Sequence, residues 1–583
     1  MISELRLFSF CVLLCLFSSS CKGQNQENSI TDFERKTDDP LDGIRIAWDY
    51  SSLKRLAPRD GRQLSWAGYP RVKRLNNGML VAVYETNGNV EIISSEDNGL
   101  TWSDPSILFE KHIRSSVTIS KANGELIQLS NGDLVAGCNY RPSNDGIAPF
   151  AIAVKRSSDL GKTWSESQVI YEAGKDFRNG CWEPAFLQLP SGEMQVYFAN
   201  EAPYTQSDEQ EISMLSSSDE GNTWSGEAVT VSFRKNHRDG MPVPVIGGDE
   251  ILVAIEDNAS GQFKPWIVRT PLDKPWIKPV DGDSPNREAA HHEELPDQVY
   301  AGAPYLVRLP SGELLLSYQT TRGRTDNWEL STMEVAIGDS EGRNFSRITQ
   351  PFDVPLDREA KWNSISLWDE NTVVAASTTS FRNPACEVWT ILGHIVKEPV
   401  APVSPVSVDG RLNENEWKER FPLFIGHKGM VNARADIARD DDFLYFAAKV
   451  NYESSEAIPG TTDDDGVTIY VDAGNYNLTS PDSGLFRVFC NRNEEFRFHE
   501  GRKGEWIHKE AEGIKLSTQD LENKGYRLEL AIPFSALNYR EGNDIRINVK
   551  LSYRDKDGSI TEENIVHAVD DASNTWCRVK MKP

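Results

Sequence analysis

Side chains able to do chemistry collect at two recurring places in this chain. Before short apolar strands stand Arg71, Asn123, Trp182-Glu183-Pro184, Gly240-Met241-Pro242, Ala303-Pro304-Tyr305 and Trp362-Asn363. At the ends of the strands that follow stand Glu85, Asn139-Tyr140-Arg141, Asn200-Glu201, Glu256-Asp257 and Gln319-Thr320. Aromatic rings can cover the apolar face of a sugar, amides and arginines can bond its hydroxyls, and paired carboxyl groups can serve as acid and nucleophile at a glycosidic bond. These residues can cooperate only if one end of each hairpin faces a common centre.

The repeats supply that centre. Asn77-Gly78, Asn131-Gly132, Ser191-Gly192, Gly247-Gly248 and Ser311-Gly312 each close a hairpin of apolar strands, and Glu370-Asn371 is a weaker sixth copy. Glycine-to-glycine steps of 54, 60, 56 and 64 residues are a propeller period with four strands per blade. In phase with it run Ser95-x-Asp97-x-Gly99-x-Thr101-Trp102, Ser157-x-Asp159-x-Gly161-x-Thr163-Trp164 and Ser217-x-Asp219-x-Gly221-x-Thr223-Trp224. These resemble the Asp-box (BNR repeat) of sialidases and related propellers, and Gly338 to Phe345 is a decayed fourth copy. The 121 residues from Trp224 to Phe345 leave room for a blade without a box. The boxes are turn-forming and sit between third and fourth strands, on the face opposite the open hairpin ends. The fold class is therefore all-β, a six-bladed β-propeller followed by a β-sandwich.

Two longer stretches narrow the chemistry. Cys181-Trp182-Glu183-Pro184 with Gln195 to Glu201, Gly240-Met241-Pro242-Val243 leading to Glu256, Ala301 to Tyr305 with Ser317 to Thr320, and Trp362-Asn363-Ser364 resemble the exo-1,5-α-L-arabinanases over about residues 60–390. That resemblance implies a retaining exo-glycoside hydrolase releasing terminal α-L-arabinofuranose, with Glu183 as general acid/base and Glu256 as nucleophile. Carboxyl groups about 5–5.5 Å apart are expected of such a pair, and a raised pKa of Glu183. Glu201 stands in reserve for either role. Substrate contacts are expected from Arg71, Asn123, Arg141, Trp182, Glu201, Asp257, Tyr305, Gln319, Trp362 and Asn363. Sialidase chemistry, the rival reading, needs three arginines around the substrate carboxylate and a tyrosine nucleophile. Arg71 fits its first arginine, but the fifth and sixth blades begin with Ala303-Pro304-Tyr305 and Trp362-Asn363. A third reading is a propeller that binds glycan without cleaving it.

The remaining chain sets limits. At 583 residues it exceeds a single core, and its formal charge of -26 repels phosphate backbones, so nucleic acid is excluded as a partner and a neutral oligosaccharide or polysaccharide is favoured. No cofactor is indicated, nor a metal at the catalytic face, and a monomer is expected. Residues 1–20 read as a signal peptide, with an apolar run too short to span a bilayer. Ser18-Ser19-Ser20 before Cys21 resembles a lipoprotein cleavage site, implying acylation of Cys21 and a bacterial lipoprotein of the periplasm or outer-membrane surface, attached to membrane only by that anchor. Residues 21–54 are assigned to a tether and the propeller entry, 55–396 to the propeller, 397–405, with Pro399 and Pro402, to a linker, and 406–583 to the sandwich. Val408-Asp409-Gly410, Phe443-Leu444-Tyr445-Phe446 and Asp464 to Asp472 resemble a family-nine carbohydrate-binding module. In it Trp506 and Trp576 are candidates for stacking on sugar, and the Asp463–Asp465 run for calcium.

Overall fold

The computed structural model describes residues 42–59, 61–64, 66–413, 417, 420–426, 431–452, 465–522, 524–555 and 558–581. The signal, Cys21, most of the tether, Asp463 and Asp464 lie outside the described residues. Alternating apolar residues and tight turns produce six antiparallel sheets in a ring. The first blade pairs Ala67–Arg74, Leu80–Thr86, Asn89–Ser95 and Ser106–Phe109. Later blades open on Val117–Gln128, Cys181–Gln188, Asp239–Gly247, Ala301–Arg308 and Ala360–Asp369, each followed by three strands outward. The six opening strands touch in cyclic order and line the axis.

The ring closes through distant sequence. Strand Arg45–Ala57, in the stretch assigned to tether and propeller entry, pairs with Glu387–Val396 and is the outermost strand of the sixth blade. Three strands of that blade thus come from the end of the propeller and one from its start.

The Asp-boxes occupy the expected turns. In each intact copy the serine hydroxyl accepts the glycine N–H at 2.8–2.9 Å, and the aspartate accepts the threonine N–H at 2.8 Å. The threonine hydroxyl bonds the second aspartate oxygen, and these bonds hold Asp97, Asp159 and Asp219 down at a pKa of about 2. In the decayed copy Asp339, one position before the expected slot, accepts the Arg343 N–H at 2.9 Å, while Phe345 is buried in place of tryptophan.

The sandwich has a sheet ordered Leu423–Ile425, Val431–Arg439, Phe443–Tyr452, Gly525–Pro533, Lys515–Asp520, facing one built around Gly466–Asp472 and Ile545–Arg554. Its apolar core also takes in Ala47 and Val396 of the propeller. Fully buried Arg45, on the ring-closing strand, donates to the Val566 and Thr575 carbonyls of the sandwich at 2.8 Å each. Trp576, a stacking candidate, is fully buried and donates to the Val569 carbonyl. It is core, because its ring packs on Tyr470 inside the module. Trp506 is half-buried, with its N–H on Asp571 at 2.7 Å and the Arg487 guanidinium over its ring.

Candidate active site

A backbone device repeated in all six blades builds the site. Tyr69, Asn123, Glu183, Met241, Ala303 and Trp362 have φ between 48° and 52°. Each is the extra residue of a β-bulge in the strand that lines the axis, where the pairing register slips between Gly68 and Arg71, Ala122 and Glu125, Trp182 and Ala185, Gly240 and Val243, Gly302 and Tyr305, and Lys361 and Ser364. A positive φ costs a non-glycine residue on the order of 1 kcal/mol or more and persists only where surroundings enforce it. Prolines 70, 184, 242 and 304 follow four of the six, where the interrupted ladder needs no N–H. A proline inside an otherwise regular inner strand was the available sequence signal for this ring.

Side chains of the preceding blade clasp four of the ring residues. The Tyr69 N–H donates to Thr378 Oγ1 at 2.9 Å, Asn123 N–H to Glu85, Ala303 N–H to Glu256 Oε2 at 2.7 Å, and Trp362 N–H to Gln319 Oε1 at 2.8 Å. Gln319 also donates to the Tyr300 hydroxyl at 2.8 Å, so its place is between blades. Sequence reasoning offered no role for Thr378, Tyr300 or Tyr69.

The ring has two unlike arcs. From blade one to blade four it presents Glu85, Asn123, Arg141, Glu183, Glu201, Arg238 and Glu256. The other arc is apolar: Tyr69, Met241, Ala303 and Trp362 pack together, and Tyr300 and Trp328 extend the aromatic wall beside Trp362, with ring centroids 6.1 and 6.4 Å apart. Trp182 stands at the polar side, stacked obliquely with Phe177 and covered by the Arg141 guanidinium 4.9 Å from its centroid.

Glu183 and Glu256 stand on neighbouring blades. Glu183 is recessed, its side chain 15% exposed, and Arg141 lies 3.9 Å away. Burial pushes its pKa up to about 8; Arg141 opposes this, while the charges of Glu256 and Glu201 add to it. Burial lifts Glu256 to about 7 against the pull of the Ala303 N–H and Arg238. The Glu256 carboxyl is wedged between two glycines: a β-carbon on Gly240 would stand 2.9 Å from Oε1, and one on Gly302 2.6 Å from Oε2. Glycine is required at both positions for this placement. Glu201 pairs with Arg238, which also bonds Gln210 at 2.6 Å, and burial raises its pKa.

Other expected contacts are engaged elsewhere. Two residues further along its strand than the ring, Arg71 pairs with Glu125 at 3.1 Å and donates to the Asn363 carbonyl. Tyr305 donates to Glu125 at 3.0 Å and accepts from Lys73 at 2.6 Å. The Asn363 side chain accepts from Ser317 at 2.6 Å. Together these side chains pack against one another at the axis below the ring. Asp257 is fully buried between Arg234 and Arg287, at 2.8 and 2.7 Å. Asn123 accepts from Arg141 at 2.9 Å within the polar arc.

The BNR repeat-like domain matches residues 63–272, and the carbohydrate family 9 binding domain-like family matches residues 408–580. The first match falls within the propeller and the second on the sandwich. Endo-1,4-beta-xylanase A of Thermoanaerobacterium saccharolyticum is 25% identical over 244 residues, 39% of this chain and 19% of that protein. Exoglucanase XynX of Acetivibrio thermocellus is 25% identical over 225 residues, 37% of this chain and 19% of that one. The chain thus spans about a fifth of the length of these relatives. Similar solved structures include the GH93 alpha-L-arabinofuranosidase of Fusarium graminearum with arabinobiose, 17% identical, TM-score 0.45, covering 60% of this chain and 97% of that one. The alpha-L-arabinanase of Penicillium chrysogenum is 18% identical, TM-score 0.45, with coverage of 60% and 97%. A Hadza microbial sialidase is 14% identical, TM-score 0.40, with coverage of 57% and 66%.

Proposed function

We propose that this chain is a retaining exo-glycoside hydrolase that releases terminal neutral sugars, α-L-arabinofuranose first among them, from an extracellular glycan. The observation that carries the reading is a ring of strand bulges with a polar arc holding two recessed carboxyl groups and an aromatic arc beside it. A sugar ring has the same asymmetry, hydroxyl edges and an apolar face. Glu256, with Oε2 held by the Ala303 N–H, attacks the anomeric carbon through Oε1 as the bond to the leaving oxygen breaks. Glu183, kept protonated by burial, gives that oxygen its proton. Glu183 then takes a proton from water, which attacks the same carbon and releases Glu256 as carboxylate. Arg71, Glu125 and Tyr305 pack together at the axis beneath the ring, which supports cutting at chain ends.

A sialidase-type function draws less support. Arg71, Arg141 and Arg238 are each held by a carboxylate or amide of the chain, with Arg71 below the ring. The sandwich, through half-buried Trp506, is proposed to hold the same glycan. Export by residues 1–20 and acylation of Cys21 complete the reading; mass spectrometry of the mature amino terminus tests them.

The experiment is hydrolysis of α-1,5-arabino-oligosaccharides, sialosides and pectic side chains by the full chain, with product anomers followed by proton NMR. Release of arabinose with retained configuration is expected. Binding without turnover of every substrate would replace this reading with that of a glycan-binding propeller.

A further inference from the structure

Glu85 and Glu256 occupy the same place in their blades. Each lies on the second strand, opposite the glycine before a ring residue: Glu85 opposite Gly68, Glu256 opposite Gly240. Each spends one carboxyl oxygen on the N–H of the next blade's ring residue, Asn123 and Ala303 respectively. Blades one and four are three apart in a ring of six, so Glu85 and Glu256 stand on opposite sides of it. The other two clasping side chains, Gln319 and Thr378, are uncharged and lie on the aromatic arc.

A clasp needs only one acceptor, and Thr378 and Gln319 show that a hydroxyl or an amide suffices. The carboxyl at position 85 therefore brings a second oxygen that the clasp does not use. Glu85 Oε2 accepts no hydrogen bond among the described residues, and the side chain keeps some exposure, 9%. Its surroundings are Asn123 and the Arg141 and Arg71 charges, with Tyr69 beside it. We propose that Glu85 is a substrate-binding residue, whose free carboxyl oxygen accepts a hydroxyl of the terminal neutral sugar on the side of the ring opposite Glu256. Burial raises its pKa to about 7, against the pull of Arg141, the Asn123 N–H and Arg71. This inference deepens the glycosidase reading and relies on the same ring of residues.

The test compares the full-length chain with Glu85→Gln, whose amide oxygen can keep the clasp to Asn123 while the second oxygen becomes an NH2. Kinetics on α-1,5-arabinotriose are expected to show KM raised about tenfold with kcat within about threefold, since a ground-state hydroxyl contact is lost. An unchanged KM, or a loss confined to kcat, overturns the role of Glu85 while the glycosidase reading stands. If the wild-type chain turns over no glycan, the glycosidase reading fails by itself. Glu85 is then decided by calorimetric titration with arabinobiose. Arabinobiose binding weakened about tenfold in the variant supports the role, and no binding by the wild type, or equal binding by both, overturns it. Circular dichroism and thermal melts of Glu85→Gln and Glu85→Ala separate loss of contact from loss of fold.

Discussion

Gly302→Ala tests how tightly Glu256 is held. Gly302 lies outside the positive-φ region, so alanine fits the backbone, and the new methyl would clash with the Glu256 Oε2 at 2.6 Å and with Tyr300, its hydroxyl at 2.5 Å and its Cζ at 2.8 Å. Reaching an ordinary contact near 3.4 Å moves the carboxyl by about 0.8 Å and stretches its 2.7 Å bond from the Ala303 N–H. All three clashing atoms lie at the far ends of two side chains, so folding stability is expected to change by about 1 kcal/mol, with part of any cost offset by the smaller unfolded-state entropy of alanine. Catalysis is more demanding. A misplacement approaching 1 Å costs about 100-fold in rate, roughly 2.7 kcal/mol in the barrier. Initial rates on arabino-oligosaccharides, paired with calorimetric melting of the same preparation, read both quantities. A variant with near wild-type kcat and unchanged Tm would refute the idea that the glycine pair places the nucleophile.

Further expectations follow from the same geometry. Turnover requires Glu256 ionised and Glu183 protonated, so kcat/KM is expected to rise as pH passes about 7 and fall as it passes about 8, a narrow bell measurable by stopped assays. Arg141→Met removes the charge that opposes burial at Glu183 and is expected to move the alkaline limb upward. Both carboxyl groups have folded-state pKa values above their unfolded ones, so their contribution to stability is full below about pH 4.3 and is lost as pH rises through 7 and 8. Glu183→Gln is accordingly expected to be inactive yet to melt higher than wild type at pH 8. Arg45→Ala breaks two bonds from the ring-closing strand to the sandwich and is expected to cost about 3 kcal/mol, read by urea unfolding. Asp159→Ala is expected to lower Tm while leaving kcat/KM intact, because its bonds lie wholly within its turn.

The parts legible in the sequence are those specified locally. A glycine turn or an Asp-box is encoded within eight residues, and its phase told which hairpin ends share a face. Ring closure is different. Nothing in Arg45 to Ala57 names Glu387–Val396 as its partner, since that pairing joins the two ends of the propeller. The bulged ring was written in the X-Pro steps at Tyr69, Glu183, Met241 and Ala303, but only recurrence at one register position in six sheets gives them meaning. Arg71, Tyr305 and Asn363 look like surface binders from their place near strand starts. Two residues of extra depth for Arg71 and Tyr305, and one for Asn363, put their side chains in a packed axis. The register that separates Glu183 from Arg71 is set by the bulge, so depth along the strand could not be read without it.

Covalent trapping tests the central claim, that Glu256 and Glu183 act as nucleophile and acid, most directly. An activated 2-deoxy-2-fluoro analogue of the released sugar is incubated with the full chain, and the digest is analysed by mass spectrometry. The account predicts one glycosyl adduct, on the peptide carrying Glu256, absent in Glu256→Gln. An adduct on Glu183, Glu201 or Glu85, or turnover of that analogue's parent substrate with inverted configuration, would contradict it.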